Sequence, residues 1–267
     1  MWERTVAHIR VTVCLPPDVR GDLEAAIGEA LAPFEMYGEF VDRGMWDRWT
    51  IRGGSDGSGF SAGPGFEDDP RLIHDAPLHT GEPQPSLPGM CAGGPRGLLD
   101  FDGPRATAVS LAHATWDLWH RLAPEYPPVR PHSAFHRRHL ADPEAYPGQQ
   151  AHDDYRAQPL MGAFEVLSIQ GVPEQFRNAL IVDDPETVFA GDRAEFVQSV
   201  SYRAKSFHDL LTLDGWWIED RDRPVHGACD PALCPHKEQG AQYAADIDGY
   251  IEGLPAEAFL VRLKCHG

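Results

Sequence analysis

Four residues of the types that bind zinc fall within one short segment, and this segment constrains the fold more than any other feature. The sequence HGACDPALCPH at 226–236 has the spacing His-x2-Cys-x4-Cys-x-His, and its candidate ligands are His226, Cys229, Cys234 and His236. Imidazole and thiolate are ligands that zinc prefers, and four of them complete a tetrahedral site with no position left for water. We therefore predict a zinc site of the structural kind.

Two other interpretations of this segment stay open at the level of sequence. Cys229 and Cys234 could form a local disulfide, or the four residues could be ordinary loop residues that bind nothing. The chain has five cysteines, an odd number, which favours a reducing compartment over a disulfide framework. Pro231 and Pro235 fix φ beside the cysteines, and this lowers the entropy that a short loop loses when it closes around an ion.

The charge balance argues against several classes of partner. The chain has 41 acidic and 23 basic residues and a formal net charge of -18 at pH 7. Because a phosphate backbone or an anionic membrane surface would be repelled on average, we expect neither nucleic acid nor membrane as a partner. The first residues contain no long apolar run, so we expect a cytoplasmic protein. The remaining classes of partner are a small molecule or another protein.

Both ends of the chain have the patterns of strands and helices in succession. Residues 8–15 alternate apolar and polar side chains with the period of a half-buried strand, and Cys14 falls on the polar side. Apolar residues then recur at helical spacing up to Phe34. At the other end we expect a helix at about 241–254 and a final strand from Phe259.

Together these segments predict an α+β fold. Residues 44–52 are predicted to be a second strand, and Asp214-Gly215 is typical of a tight hairpin. A β-α-β start, a hairpin and an α-β finish combine into a ferredoxin-like antiparallel sheet. We predict a single domain over 1–267, with the sheet core built from 1–54 and 207–267. Residues 55–206 would form a large insertion, rich in helices and loops.

The insertion contains several local patterns of its own. Apolar spacing predicts helices at about 105–123, 132–140 and 149–163, and residues 180–182 are predicted to be a short strand. A capping box, Asp192-x-x-Glu195, predicts the start of another helix.

Three histidines in the insertion offer an alternative function. His132, His136 and His139 project from one face of their helix and could hold a metal with an open position, as in a metal-dependent hydrolase acting on a small molecule. An open version of the C-terminal cluster, completed by Asp230 or Glu238, would have the same chemistry. An exposed basic helix explains the three histidines more simply, and no His-Glu-x-x-His motif occurs. The sequence therefore favours a structural metal site, with the insertion forming a surface for a ligand or partner.

The final strand has a thiol and an imidazole in adjacent positions. Alternation predicts that Cys265 points inward, while Arg262 and Lys264 point outward. Cys265 and His266, beside Asp47, could be considered a nucleophile with its base, but neighbours on a strand point to opposite faces. We interpret Cys265 as a buried core thiol.

Three segments carry a resemblance to a known group of proteins. They are WDRWTIRGG at 46–54, LDGWW at 213–217 and FLVRLKCH at 259–266. Together with the opening strand and helix, they resemble a family of uncharacterised phage and actinobacterial proteins whose chains close with Asp-Cys-His. Ser55 after the Gly-Gly pair and Lys264 before Cys-His depart from the family's pattern.

The resemblance covers about a third of the chain, at its two ends, and extends in the longer members to DPEAY at 142–146 and DYRAQP at 154–159. It implies architecture and no activity. What it implies for the fold is that four residues converge near one edge of the sheet: Trp46, Asp47, Cys265 and His266.

Overall fold

The structure is a computed structural model, and the chain falls into two compact units. One unit comprises Met1–Phe101 and Ser206–Gly267, and the other comprises Asp102–Lys205. The expectation of a single domain over 1–267 stays a prediction. The described residues are 8–17, 19–37, 44–77, 82–204, 209–219, 224–230 and 233–266.

The secondary structure is mixed, as the predicted α+β class requires. The strands are β1 (His8–Leu15), β2 (Arg48–Ile51), β3 (Phe60–Ala62), β4 (Asp75–Pro77), β5 (Pro83–Pro85), β6 (Met90–Cys91), β7 (Gly93–Pro95), β8 (Leu99–Asp100), β9 (Asp209–Leu211), β10 (Trp216–Ile218), β11 (Val225–His226) and β12 (Phe259–His266). The helices are α1 (Leu23–Leu31), α2 (Asp102–Leu122), α3 (His132–Ala141), α4 (Gly148–Arg156), α5 (Pro159–Ser168), α6 (Glu174–Arg177), α7 (Pro185–Val188), α8 (Arg193–Arg203), α9 (Lys237–Ala245) and α10 (Ile247–Gly253).

The main sheet of the first unit is organised around the first and last strands. Its order is β11-β10-β9-β1-β12-β2, and β7 also pairs with β12. β1 and β12 are antiparallel and paired along their whole length, from His8 opposite His266 to Leu15 opposite Phe259. The alternating patterns of these two segments therefore predicted both strands and their ends.

The sheet is mixed, which corrects the prediction that it is antiparallel throughout. β1 and β9 are direct neighbours and run parallel, whereas a ferredoxin-like sheet has another strand between its parallel strands. The difference lies in the hairpin. Its first strand, β9, lies beside β1, and its second strand, β10, lies on the side of β9 that faces away from β1. β7, which falls within the predicted insertion, joins the same sheet through β12.

The two faces of the sheet are covered by different elements. One face packs on α1 in a core that contains the following residues: Val11, Val13, Leu15, Ile27, Leu31, Phe34, Trp217, Val261, Leu263 and Cys265. The other face shares a cluster with α10 and with the small sheet β6-β3-β8; it includes Cys14, Phe60, Cys91, Trp216, Ile251 and Leu260. Cys14, expected on a polar face, is buried because this second layer covers it.

Arg262 on β12 departs most from its prediction. Its side chain was expected to point outward, but it is fully buried. The alternation of side chains along β12 does place Arg262 on the sheet face opposite that of Val261 and Leu263. The segment between β2 and β3 covers that face here, since Gly53 lies against the Arg262 side chain and the guanidinium lies 5.2 Å from the centre of the Phe60 ring.

The second unit consists of helices packed on an aromatic core. Five aromatic rings contact one another in this core. They come from α2, α5, α8 and the C-terminal end of α7: Trp116, Trp119, Phe164, Phe189 and Phe196. The predicted cap is confirmed, because the Asp192 carboxylate accepts hydrogen bonds from the backbone N–H groups of Ala194 (2.7 Å) and Glu195 (3.0 Å). Within the described residues, no helix of either unit is both long and apolar enough to cross a membrane.

Three predicted boundaries change for identifiable reasons. The helix expected at 149–163 is divided into α4 and α5, because Pro159 cannot continue α4. The helix expected at 241–254 is divided into α9 and α10 by Asp246, whose side chain caps α10. The strand predicted at 180–182 is wrong, because Asn178–Leu180 forms a 3-10 helix and its apolar residues pack into a helical core.

Candidate metal centre

The four predicted ligands come together in the first unit, between a hairpin and a helix. His226 ends β11, Cys229 and Cys234 lie in the loop that follows, and His236 is the N-cap residue of α9. One ligand atom from each residue lies within 4.8 Å of the corresponding atom of every other. Within the described residues, these four are the one group of histidine, cysteine and acidic side chains that lies close enough together to hold a metal ion.

The spacing of the ligand atoms suits zinc. The distance from Cys229 Sγ is 3.1 Å to His226 Nδ1 and 3.5 Å to His236 Nδ1, and Cys234 Sγ lies 4.0 Å from His236 Nδ1. With zinc bonds of about 2.0 Å to nitrogen and 2.3 Å to sulfur, the edges of a tetrahedron are about 3.3–3.8 Å long. The donor set and its spacing therefore fit a tetrahedral zinc ion.

His226 is oriented by contacts on both sides of its ring. Its Nε2 lies 3.0 Å from the carbonyl oxygen of Asp214, while its Nδ1 faces the thiol of Cys229. An N–H at Nε2 donating to this carbonyl leaves Nδ1 as the atom that can bind a metal. The ring also packs against Trp216, with 4.7 Å between the ring centres.

Asp214 connects the hairpin turn to α9 as well. Its carboxylate accepts hydrogen bonds from Thr212 Oγ1 (2.7 Å), Gln239 Nε2 (3.0 Å) and the Tyr243 hydroxyl (3.2 Å). The same residue thus orients His226 through its carbonyl and holds the first turns of α9 through its side chain. Outer contacts of this kind are common around metal ligands in proteins.

The two cysteines of the centre, Cys229 and Cys234, are not joined to each other by a disulfide. The structure therefore does not support the interpretation of this segment as a local disulfide. Cys234 is 7% exposed, whereas His236 is exposed at the surface. Pro235 lies between the last two ligands, and Pro231 lies outside the described residues.

The candidates for an open catalytic site are not brought together. Asp230 and Glu238 are not members of the ligand group around His226. His132, His136 and His139 do lie along one side of α3, but successive ring centres are 6.2 Å apart. His139 Nδ1 is instead 2.9 Å from the backbone oxygen of Tyr146.

Of the four residues expected to converge, Asp47 and His266 are in direct contact beside the edge strand β2. The backbone N–H of Asp47 donates to the carbonyl of His266 (2.8 Å), and His266 Nδ1 lies 2.7 Å from Asp47 Oδ1. Cys265 pairs with Trp49 on the buried side of the strand. Cys265 is fully buried, as predicted for a core thiol, and burial raises its pKa to about 12.

A cavity in the second unit was not foreseen from the sequence. Its volume is about 560 Å³, and its walls combine apolar and charged side chains; they include Tyr155, Arg156, Met161, Phe164, Ile169, Arg177, Ile181 and Asp183. These residues come from α4, α5, α6 and the segment before α7, so no single sequence window contains the cavity. Ile169 and Ile181 at its wall are exposed apolar residues, a feature that only the structure reveals.

Comparisons with known proteins give no relative on which to build. No protein-family model, no curated protein and no solved structure matches the chain.

Proposed function

We propose that this protein binds one zinc ion through His226, Cys229, Cys234 and His236, and that the ion is structural. The convergence of four ligand atoms within 4.8 Å of one another carries this proposal. Zinc bound there fastens the β10–β11 hairpin to the start of α9. Since the protein supplies all four ligands, no position remains for a water or a substrate.

The folding role follows from where the ligands lie. The four ligands connect a two-residue strand to the N-terminus of a nine-residue helix. Binding of zinc to these ligands contributes folding free energy, because the preformed site does not exist in the unfolded chain. We therefore assign the ion to the stability of the region around α9 rather than to catalysis.

The second part of the proposal concerns the helical unit, which we take as the ligand-binding part of the protein. The cavity of about 560 Å³ supports this, because small-molecule sites are concave, largely apolar and carry a few convergent polar groups. Its walls include the cations Arg156 and Arg177, the apolar Met161 and Phe164, and three carboxylates: Glu165, Asp183 and Asp184. An amphipathic small molecule fits this combination. We also propose a reducing compartment such as the cytoplasm, which five free thiols support.

Elemental analysis of protein purified without an affinity-metal step tests the zinc site. We expect one zinc per chain, with Cys229 and Cys234 protected from thiol reagents until a chelator removes the metal. His236→Gln should abolish stoichiometric zinc, and His136→Gln is the matched control because it removes an exposed histidine outside the loop. Zinc that survives His236→Gln but is lost in His136→Gln would instead favour a site on α3.

An anionic amphipathic dye tests the cavity. Titration with anilinonaphthalene sulfonate should give saturable binding that Ile169→Asp abolishes, because the change replaces apolar surface at the cavity wall with a charged group. Leu140→Asp is the control, since Leu140 is exposed on α3 and does not line the cavity. Equal binding by both variants would contradict a ligand site in this cavity.

A further inference from the structure

A basic surface lies on one face of β1, β12 and β2, in a protein with a net charge of -18. Lys264 on β12 is paired with Arg10 on β1 and with Thr50 on β2, and His266 is paired with Arg48. Because side chains alternate along a strand, these residues share one face, opposite the core around α1. The charge of this surface is therefore opposite to the average charge of the chain.

Part of this surface is concave. A cavity of about 110 Å³ is lined by three cations and no carboxylate; its walls are Arg48, Trp49, Thr50, Arg52, Lys264, Cys265 and His266. One water needs about 10–15 Å³, so the cavity has room for several waters or for one small oxyanion. Arg52 is held in place at its wall, because one terminal nitrogen donates to Gln84 Oε1 at 2.8 Å.

A buried arginine, Arg262, lies on the same strand face, although it packs against the Phe60 ring and is not one of the residues that line the cavity. Arg262 lies two residues before Lys264 on the same strand, and it is 0% exposed. In the part of the chain that the structure describes, its three guanidinium nitrogens have no hydrogen-bond partner, and neither has Arg52 Nε. A buried guanidinium without partners is strongly unfavourable, and such a group calls for a bound ion or water.

Burial is the main influence on Arg262, and two nearby carboxylates compensate its charge in part. Arg10 repels it, while Asp209 and Asp56 attract it, and burial lowers the pKa of its guanidinium to about 9. Asp56 already accepts hydrogen bonds from the backbone N–H (3.0 Å) and the hydroxyl (2.6 Å) of Ser58. Additional negative charge near β12 would stabilise this group of arginines.

We propose that the cavity lined by Arg48, Arg52, Lys264 and His266 binds a phosphate group, either as the free ion or on a small phosphate monoester. Arginine matches phosphate oxygens with pairs of parallel N–H donors, and lysine adds a compact charge. The Thr50 hydroxyl is an additional donor at the wall. His266 is held by the carboxylate of Asp47 at 2.7 Å, which fixes the plane of its ring.

Calorimetric titration of the full chain with inorganic phosphate and with phenyl phosphate tests this site. We expect saturable binding of at least one of the two in low-salt buffer, weakening as chloride is raised. Lys264→Gln and Arg48→Gln should each weaken it about tenfold, the effect of losing one charge-assisted hydrogen bond. Tighter binding of the ester would identify an esterified ligand, and tighter binding of inorganic phosphate would identify the free ion.

The matched control is Arg137→Gln, which removes an exposed cation from α3 and should leave phosphate binding unchanged. The thermal midpoint of each variant without phosphate checks that it folds. The proposal is overturned if neither probe binds more tightly than chloride does. An equal effect of Lys264→Gln and Arg137→Gln would overturn it as well, because it would show general charge attraction.

Discussion

His226 and Asp214 are joined through the ring nitrogen that faces away from the thiols, with Nε2 3.0 Å from the Asp214 carbonyl oxygen. The carbonyl can only accept, so the proton of the neutral ring belongs on Nε2 and the lone pair on Nδ1. Nδ1 faces Cys229 Sγ at 3.1 Å. The tautomer that a metal requires is thus set by the hairpin turn before any metal binds.

This relationship predicts the coordinating atom of His226. In long-range ¹H–¹⁵N spectra of zinc-loaded protein, Nε2 of His226 should carry the proton and Nδ1 should show the shift of a metal-bound nitrogen. Cadmium substitution, followed by ¹¹³Cd shifts, checks for two sulfur ligands in the same sample. Coordination through Nε2 would mean that the hydrogen bond to Asp214 breaks when the metal binds, contrary to our assignment.

The packing of α9 on the hairpin gives a second prediction. A Cβ added at Gly240 would lie 2.4 Å from the ring of Trp216, the residue on which His226 packs. Gly240→Ala should therefore lower the free energy of unfolding by about 1–3 kcal/mol, as overpacking of a core does. We also expect weaker zinc binding, since α9 carries His236 at its N-cap.

Gly28→Ala is the matched control for this change. Gly28 lies within α1, and a Cβ there would meet nothing within 4 Å. Alanine is favoured over glycine inside a helix by about 0.5–1 kcal/mol, so the control should be neutral or more stable in urea unfolding. Equal destabilisation by the two changes would show that contact with Trp216 is not the cause.

The sequence predicted well those features that depend on nearby residues. β1 and β12 follow from strict alternation, α8 from the cap at Asp192, and the cluster of two histidines and two cysteines from their spacing in one loop. In each case the deciding interaction is between residues close in the chain, or between side chains on one face of one element. These are the interactions that a single sequence displays directly.

Features that depend on a second layer were missed. Arg262 alternates outward from the α1 core, but the segment after β2 covers it, and nothing in the strand pattern reports that cover. The apolar residues at 180–182 resemble a strand because a short apolar run has no diagnostic period. The order of β9 and β10 beside β1 likewise depends on packing across the whole sheet, so local patterns could not fix it.

The buried thiol of Cys265 predicts an alkaline destabilisation. Burial raises the pKa of this thiol to about 12 in the folded protein, whereas an unfolded cysteine titrates near about 8.5. Between these two values the folded state holds the proton and the unfolded state loses it. Its contribution to stability is therefore complete below about pH 8.5 and is lost by roughly 1.4 kcal/mol per pH unit above that value.

Cys265→Ala tests this assignment by urea unfolding at pH 7 and pH 10. At pH 7 the variant should be less stable than the wild type by about 1 kcal/mol, because the smaller side chain leaves a cavity in the core. By pH 10 the difference should close or reverse, since only the wild type has this thiol to ionise on unfolding. A gap that is equal at the two pH values would contradict the raised pKa.

Tyr155 at the wall of the helical cavity gives the last prediction. Its side chain is 1% exposed, and its hydroxyl donates to Glu186 Oε2 at 2.6 Å and lies 3.2 Å from Asp184 Oδ1. Burial, and then these two carboxylates, raise the pKa of Tyr155 above its ordinary value, so the hydroxyl keeps its proton and remains a donor. Together these contacts connect α4 to the start of α7.

Tyr155→Phe removes this donor while it keeps the ring in the core. Because the Glu186 carboxylate then loses a partner inside the unit, we expect the free energy of unfolding to fall by about 1–3 kcal/mol at pH 7. Tyr126→Phe, a half-buried tyrosine packed against the same core, should change it by less than about 0.5 kcal/mol. Urea unfolding followed by tryptophan fluorescence measures both changes, and equal effects would show that the loss does not come from the contact between Tyr155 and Glu186.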